Sequence, residues 1–257
     1  MYINLLELDY IQKIYIIILS LFIGSFLNVV ALRIPKGESI VSPPSRCTSC
    51  GHRLGWLDLI PVLSFVFLRG RCRYCGDRVS PFYAVFELLA LIGAWILYDH
   101  FGMNWEFPVG FFYICVLLVI TITDLKYMRI PDKIVFPSMG AMLLLRLLIH
   151  PLPYWQYILG FFAGGLLLLL IALVSRGGMG GGDVKLFAFI GLSIGLYQML
   201  LGFFFACLLG SIFGLIFIRL GIYKRKSPIP FGPYIAMGCF VAYLWGTQLW
   251  EMYAAVF

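Results

Sequence analysis

The chain is short of charge and short of histidine. Only 12% of its 257 residues are Asp, Glu, Lys or Arg, and His52, His100 and His150 are scattered rather than grouped. A soluble domain carries about 25% charged residues, so an ordinary water-exposed fold is excluded. No His-Glu-x-x-His run, no Ser/His/Asp set and no phosphate loop occurs. This sets aside the metallopeptidase, serine-hydrolase and phosphate-loop chemistries those patterns carry. No basic stretch and no small-residue cleavage site precedes Arg33, so the first apolar block is expected to be a retained helix, not a removable signal.

What the chain has instead is apolar sequence, 62% of its residues. It comes in blocks at 11–32, 81–98, 108–123, 134–149, 154–175, 184–196, 199–220 and 233–257. Most are near the roughly 20 residues that cross a hydrocarbon core of about 30 Å. The spacing predicts an all-α polytopic membrane protein with about eight transmembrane helices. The sixth and seventh blocks part at Gly195-Leu196-Tyr197-Gln198. The chain thus divides into a first helix (1–32), a soluble loop (33–80) and a seven-helix membrane part (81–257). All 19 Lys and Arg except Lys13 and Arg146 lie in alternate connections. That side is expected to be cytoplasmic, with both termini outside. The net charge of +7 is therefore a topology signal. The expected partner is the lipid bilayer, and no nucleic acid.

Two acids stand at block ends. Asp124 closes the third block, and Asp183 opens the sixth behind a run, 177–182, in which every residue but Met179 is glycine. A carboxylate at membrane depth is costly and marks a functional site. Two helices separate the acids, so both fall on the same face. Glycines permit unusual backbone conformations and the close approach of another chain, so Gly180 and Gly182 would admit an extended substrate beside Asp183. Two carboxylates sharing one proton can hydrolyse a peptide: the ionised one activates water and the protonated one donates to the carbonyl oxygen. Singly, each acid also reads as structural, Asp183 as an N-cap and Asp124 as a partner of Lys126 or Arg129. The shared face and the glycine run favour the pair.

The loop carries Cys47-Thr48-Ser49-Cys50 and Cys72-Arg73-Tyr74-Cys75, with 21 residues between them. Two such knuckles form a four-cysteine zinc site, closed and so structural. Disulfides are the alternative, disfavoured in a reducing cytoplasm. Gly51 and Gly76 supply tight turns, and Arg46, Arg71 and Arg73 would keep the thiols ionised. A loop this small needs the metal for stability. Cys115, Cys207 and Cys239 read as small buried hydrophobes. Glu87 reads either as lining an aqueous cleft or as pairing with a basic residue such as Lys185. Asp132 reads as a solvated helix start, and Asn28 as a functional polar group or as interhelix glue.

These residues resemble the bacterial type IV prepilin peptidases, the GxGD-type aspartic membrane proteases, over nearly the whole chain. The likeness is carried by Gly24-Ser25-Phe26-Leu27-Asn28-Val29-Val30 with Arg33-Ile34-Pro35. It continues through Pro44, Ser45, Arg46 and the cysteine pairs with Gly51-His52 and 56–61, then Gly70-Arg71-Cys72 and 81–87. Asp124 with Ile130-Pro131, and the run 178–186, complete it. Asp132 stands where Asn is common. The resemblance implies Asp124 and Asp183 as catalytic residues, with Gly180, Gly182, Lys185 and Glu87 in support. It implies cleavage of prepilin or pseudopilin leaders after Gly on the cytoplasmic side of the bacterial inner membrane. It also implies N-methylation of the new terminus with S-adenosylmethionine, carried by the loop and linked to Gly70. No nucleotide-binding fingerprint accompanies that second activity. The alternatives are a peptidase whose zinc loop only docks substrate, and a zinc-ribbon scaffold or transporter whose acids form an ion path.

Overall fold

The computed structural model describes residues 5–175, 179–222, 224 and 229–255. Arg176 and Gly178 at the head of the glycine run, Arg225 and Lys226, and residues 256–257 of the last block lie outside the described residues. Those described are helical with no strand, apart from two isolated bridges in the cysteine loop. Two compact units divide between Phe111 and Phe112.

In the first unit, α1 (Leu5–Arg33) is followed by the loop with its short α2 (Leu63–Phe67), then by α3 (Phe82–Phe101). Helices α1 and α3 pair antiparallel. At one end the Tyr98 hydroxyl donates to Asp9 at 2.7 Å, and at the other Asn28 Nδ2 donates to the Tyr83 carbonyl at 3.1 Å. Between these a Cβ on Gly24 would lie 2.9 Å from that of Ala90, so glycine is what lets the helices touch. Helix α1 stops because Ile34-Pro35-Lys36 tightens into a 3-10 turn and Gly37, at φ 73°, caps it with an N–H to the Ile34 carbonyl.

Helix α4 (Glu106–Tyr127) runs across the division, and α5 (Asp132–Leu148), α6 (Tyr154–Val174), α7 (Gly181–Ile194), α8 (Leu196–Arg219) and α9 (Gly232–Ala254) complete the second unit. Helix α7 packs against α5, α6, α8 and α9. Leu186, Phe187, Phe189 and Ile190 are fully enclosed as a result. A Cβ on Gly160 or Gly164 of α6 would fall on the backbone of Gly191 or Phe187 of α7. Buried Arg146 secures the far end of α7: its Nε donates to the Ser193 carbonyl at 2.8 Å and its guanidinium lies 5.2 Å from the Tyr157 ring centre.

The eight apolar blocks correspond to eight long helices, five of which are long and apolar enough to cross a membrane: Glu7–Lys36, Phe82–Phe101, Glu106–Tyr127, Tyr154–Val174 and Leu196–Arg219. The protein is therefore multi-pass, but eight crossings are not established. At 1.5 Å per residue, the 17 residues of α5 and 14 of α7 reach only about 26 and 21 Å, short of a core of about 30 Å. Helix α9 has the length, but Thr247, Gln248, Glu251 and its Tyr and Trp residues dilute its apolar character. The break between the sixth and seventh blocks narrows to Gly195 alone, at φ 85°.

Candidate active site and cysteine centre

Asp124 lies in the last turn of α4. The helix ends because Met128 turns left-handed, at φ 50°, with its N–H on the Asp124 carbonyl, and Pro131 forbids continuation. The side chain is 8% exposed. Its Oδ2 accepts from the Gly232 N–H at 2.7 Å, and the Phe231 N–H adds a second bond. Both donors belong to the start of α9, where helical N–H groups lack intrahelical partners and the dipole favours an anion. Asp124 is thus engaged by backbone rather than by the side chain of Lys126 or Arg129. Sequence reasoning missed Gly232. Its signal is Phe231-Gly232-Pro233 at the head of the last block: the proline has no N–H, which leaves the glycine as donor.

Asp183 is the third residue of α7, inside the first turn rather than before it. It is therefore not an N-cap. Its carboxylate reaches back to the N–H of Gly180, half of a capping box. Asp124 and Asp183 both lie in the second unit, close enough for Asp183 to feel the Asp124 charge. The described glycines of the run have no positive φ. What they provide is closeness: a Cβ on Gly182 would lie 2.7 Å from that of Ile130. Lys185 grips both carboxylate oxygens of Asp132, at 2.8 and 2.7 Å, and lies over the Phe136 ring. That joins the first turns of α7 and α5, so the expected solvated Asp132 is exposed but paired.

Glu87 is buried in the first unit, where Oε2 accepts the Val62 N–H at 2.8 Å. Val62 has φ 61°, rare for a β-branched residue, and this turn ties the loop to α3. Gly70, at φ 67°, has the Phe65 ring 3.1 Å from where its Cβ would stand, so glycine is required there twice over.

The two knuckles repeat one geometry. Cys47 N–H donates to His52 O and Gly51 N–H to Cys47 O; Cys72 N–H donates to Asp77 O and Gly76 N–H to Cys72 O. Gly51 and Gly76 take φ 70° and 73°. The sulfurs of Cys47, Cys50, Cys72 and Cys75 lie within 4.8 Å of one another, those of Cys47 and Cys75 3.9 Å apart. Four thiolates about 2.3 Å from a tetrahedral metal stand about 3.8 Å apart, so the cluster fits such an ion. The N–H groups of Cys50 and Ser49 hold the Cys47 thiol down to about 6. At Cys75 the Asp77 N–H acts downwards, but desolvation and the three neighbouring sulfurs push the thiol up to about 12. Backbone donors, rather than the flanking arginines, lower Cys47. Arg73 is engaged elsewhere, its Nε 2.7 Å from Asp58 Oδ1.

A helical multi-pass protein with two neighbouring acids, one buried and one half-buried, and a four-cysteine loop is the class this architecture defines. Two family models match: the Bacterial Peptidase A24 N-terminal domain over residues 18–101 and the Type IV leader peptidase family over residues 111–215. The prepilin leader peptidase/N-methyltransferase of Bacillus subtilis (strain 168) is 37% identical over 237 residues, covering 92% of this chain and 95% of that protein. Its namesakes in Aeromonas salmonicida (strain A449) and Pseudomonas aeruginosa PAO1 are each 31% identical, covering 93% and 92% of this chain and 92% and 91% of theirs. The chain belongs to the type IV leader peptidase family. No solved structure matches it.

Proposed function

We propose that this protein is a bifunctional prepilin leader peptidase and N-methyltransferase of the bacterial inner membrane. The second unit would cleave the leader after Gly on the cytoplasmic side, and the first unit would methylate the new terminus. The observation that carries the peptidase reading is the acid pair: Asp124 held by two N–H groups at the head of α9, and Asp183 held by one and lying within the field of Asp124. The better-donated Asp124 is assigned the ionised form. It takes a proton from water as the water oxygen bonds to the scissile carbonyl carbon. Asp183, protonated, gives its proton to the carbonyl oxygen. The C–N bond then breaks, the departing amine takes the proton held on Asp124, and the gem-diol returns one to Asp183. Gly180, whose N–H holds Asp183, and Gly182, packed on Ile130, let α7 begin close to the connection after α4, while Lys185 with Asp132 sets the start of α7.

Cys47, Cys50, Cys72 and Cys75 would hold zinc as a structural staple of the loop. S-adenosylmethionine supplies an electrophilic methyl for the freed amine. The test is cleavage of a prepilin in membranes by Asp124→Asn and Asp183→Asn. Each is expected to abolish leader removal while the protein still inserts. The losses should not add in the double variant, because the pair works as a unit. Near-normal processing by either single variant would make that acid a cap or a polar anchor and end the proposal.

A further inference from the structure

The loop of the first unit carries an apolar run of its own. Residues 59–68 hold one polar side chain, Ser64, and no charge. Such a run is too short to cross a hydrocarbon core; runs of about 10–14 residues are core helices, signal regions or segments that lie at a membrane interface. This one does not lie in a core. Helix α2 turns Ser64, Phe65 and Leu68 inward, where they line a cavity of about 440 Å³. Leu63, Val66 and Phe67 stand at i, i+3 and i+4, so they share the other face, and they are 51%, 61% and 81% exposed. The 3-10 turn Trp56–Leu59 just before α2 leaves Trp56 76% exposed, with Leu57 and Leu59 open beside it in sequence. Single exposed apolar side chains are ordinary, but a group of them is a contact surface.

What covers that face follows from where α2 is fixed. The 20 residues of α3 span about 30 Å, the thickness of the hydrocarbon core with nothing to spare. Phe82 therefore stands near its edge. The Val62 N–H, immediately before α2, donates to Glu87 Oε2 at 2.8 Å. Glu87 is five residues into α3, about 7.5 Å along the axis, and its side chain leans back toward the helix start. The loop backbone thus returns past the level of Phe82, to a depth of up to about 7.5 Å. Amphipathic segments of the membrane interface lie about 5–10 Å into the boundary. The end of α1 is the contrast. A Cβ on Gly24 would lie 3.0 Å from the Glu87 Cα, and Arg33 is nine residues further, about 13.5 Å. Arg33 is then about 6 Å outside the level of Phe82, so the loop starts in water and dips back at 59–68. Directly behind α2 come Arg69 and Arg71, both exposed and without an ion pair among the described residues. Guanidinium groups pair with phosphate. We infer that residues 59–68 are an interfacial segment lying in the leaflet on the loop's side, with Leu63, Val66 and Phe67 among acyl chains and Arg69 and Arg71 on lipid phosphates. It gives the cysteine loop a third attachment to the membrane besides α1 and α3. The inference depends on those two helices crossing the bilayer, and on neither activity proposed above.

The test uses the full-length wild-type protein in nanodiscs of phosphatidylethanolamine and phosphatidylglycerol, doped with a phospholipid that carries a diazirine on one acyl chain. After irradiation, trypsin cuts behind Arg53 and Arg69 and releases residues 54–69 as one peptide. That peptide is expected to carry lipid adducts, and the knuckle peptides 47–53 and 74–78 none. Adducts on α1 and α3 with none on 54–69 overturn the inference. The double variant Val66→Asp with Phe67→Asp is expected to lose the label on 54–69 while zinc content stays at the wild-type level; retained label overturns it as well. Because the first arm needs no variant, it decides even if the double variant fails to fold. p-Benzoylphenylalanine in place of Phe67 separates lipid from protein as the occupant. An adduct of phospholipid mass supports the assignment, and a crosslink to a second chain or to an added prepilin gives the face to a protein and ends it.

Discussion

Replacing Gly232 with alanine would put a Cβ 2.9 Å from both Cβ and Oδ2 of Asp124. Neither contact can be relieved by swinging a long side chain, because the Asp124 Cβ is fixed by the last turn of α4. Either the carboxylate leaves the Gly232 N–H, now 2.7 Å away, or the start of α9 moves. The first costs a hydrogen bond to a charged group, about 1.5–3 kcal/mol, which at 1.4 kcal/mol per decade is about 10- to 150-fold in rate. The second displaces the group to which the proposed mechanism gives the proton transfer, and about 1 Å of misplacement costs about 100-fold. The two routes agree on a fall in kcat of one to two decades. KM should change little, since the bond orients the acid and not the substrate. The assay is single-turnover cleavage of a prepilin by purified Gly232→Ala, with zinc content and melting temperature as checks on folding. A rate within about threefold of wild type would refute the claim that α9 holds Asp124 in its working position.

Gly182→Ala should likewise depress cleavage, because its Cβ would meet that of Ile130 at 2.7 Å. Adding Ile130→Gly should restore much of the rate, and a double variant as poor as the single would contradict the packing argument. Zinc is expected at about one per chain and to be lost in Cys75→Ser. At neutral pH Cys47, held near 6, is already thiolate, while Cys75, raised to about 12, must surrender a proton on uptake. Affinity should therefore rise with pH above 7 and fall further below about 6, where Cys47 is protonated too; competition with a chelator at pH 6 and 8 measures it, and equal affinities would refute the assignment. Lys185→Met breaks an ion pair between side chains 39% and 52% exposed. Such pairs are worth about 0–1 kcal/mol, so melting should drop by no more than about 2–4 °C; a larger drop would show a role beyond the salt bridge.

The helices were legible because apolar runs near bilayer length need no knowledge of partners. Their polar ends were less so: the sixth block was read from Val184, yet α7 starts at Gly181 because its first turn is built from glycines and an acid that hydropathy does not count. The cysteine cluster was legible since two short knuckles fix ligand spacing locally. Partner choice was not legible. The sequence named Glu87 as an example of a partner for Lys185, and it is the packing of α5 against α7 that brings Asp132 to it. Gly232 was passed over because the group it supplies is a backbone N–H, identical in every residue but proline, and what sets it apart is an acid 108 positions earlier.

That separation has a consequence for the order of synthesis. Asp124 enters the membrane with the third long helix and Asp183 with the sixth, while the N–H groups that hold Asp124 arrive with the last described helix, α9. Until then one carboxylate of the pair has no fixed position. A half-made peptidase beside the insertion machinery therefore has both acids and no arrangement of them. On the proposed mechanism its activity begins when α9 docks, and a chain broken off before residue 229 should insert, carry both acids and cut nothing.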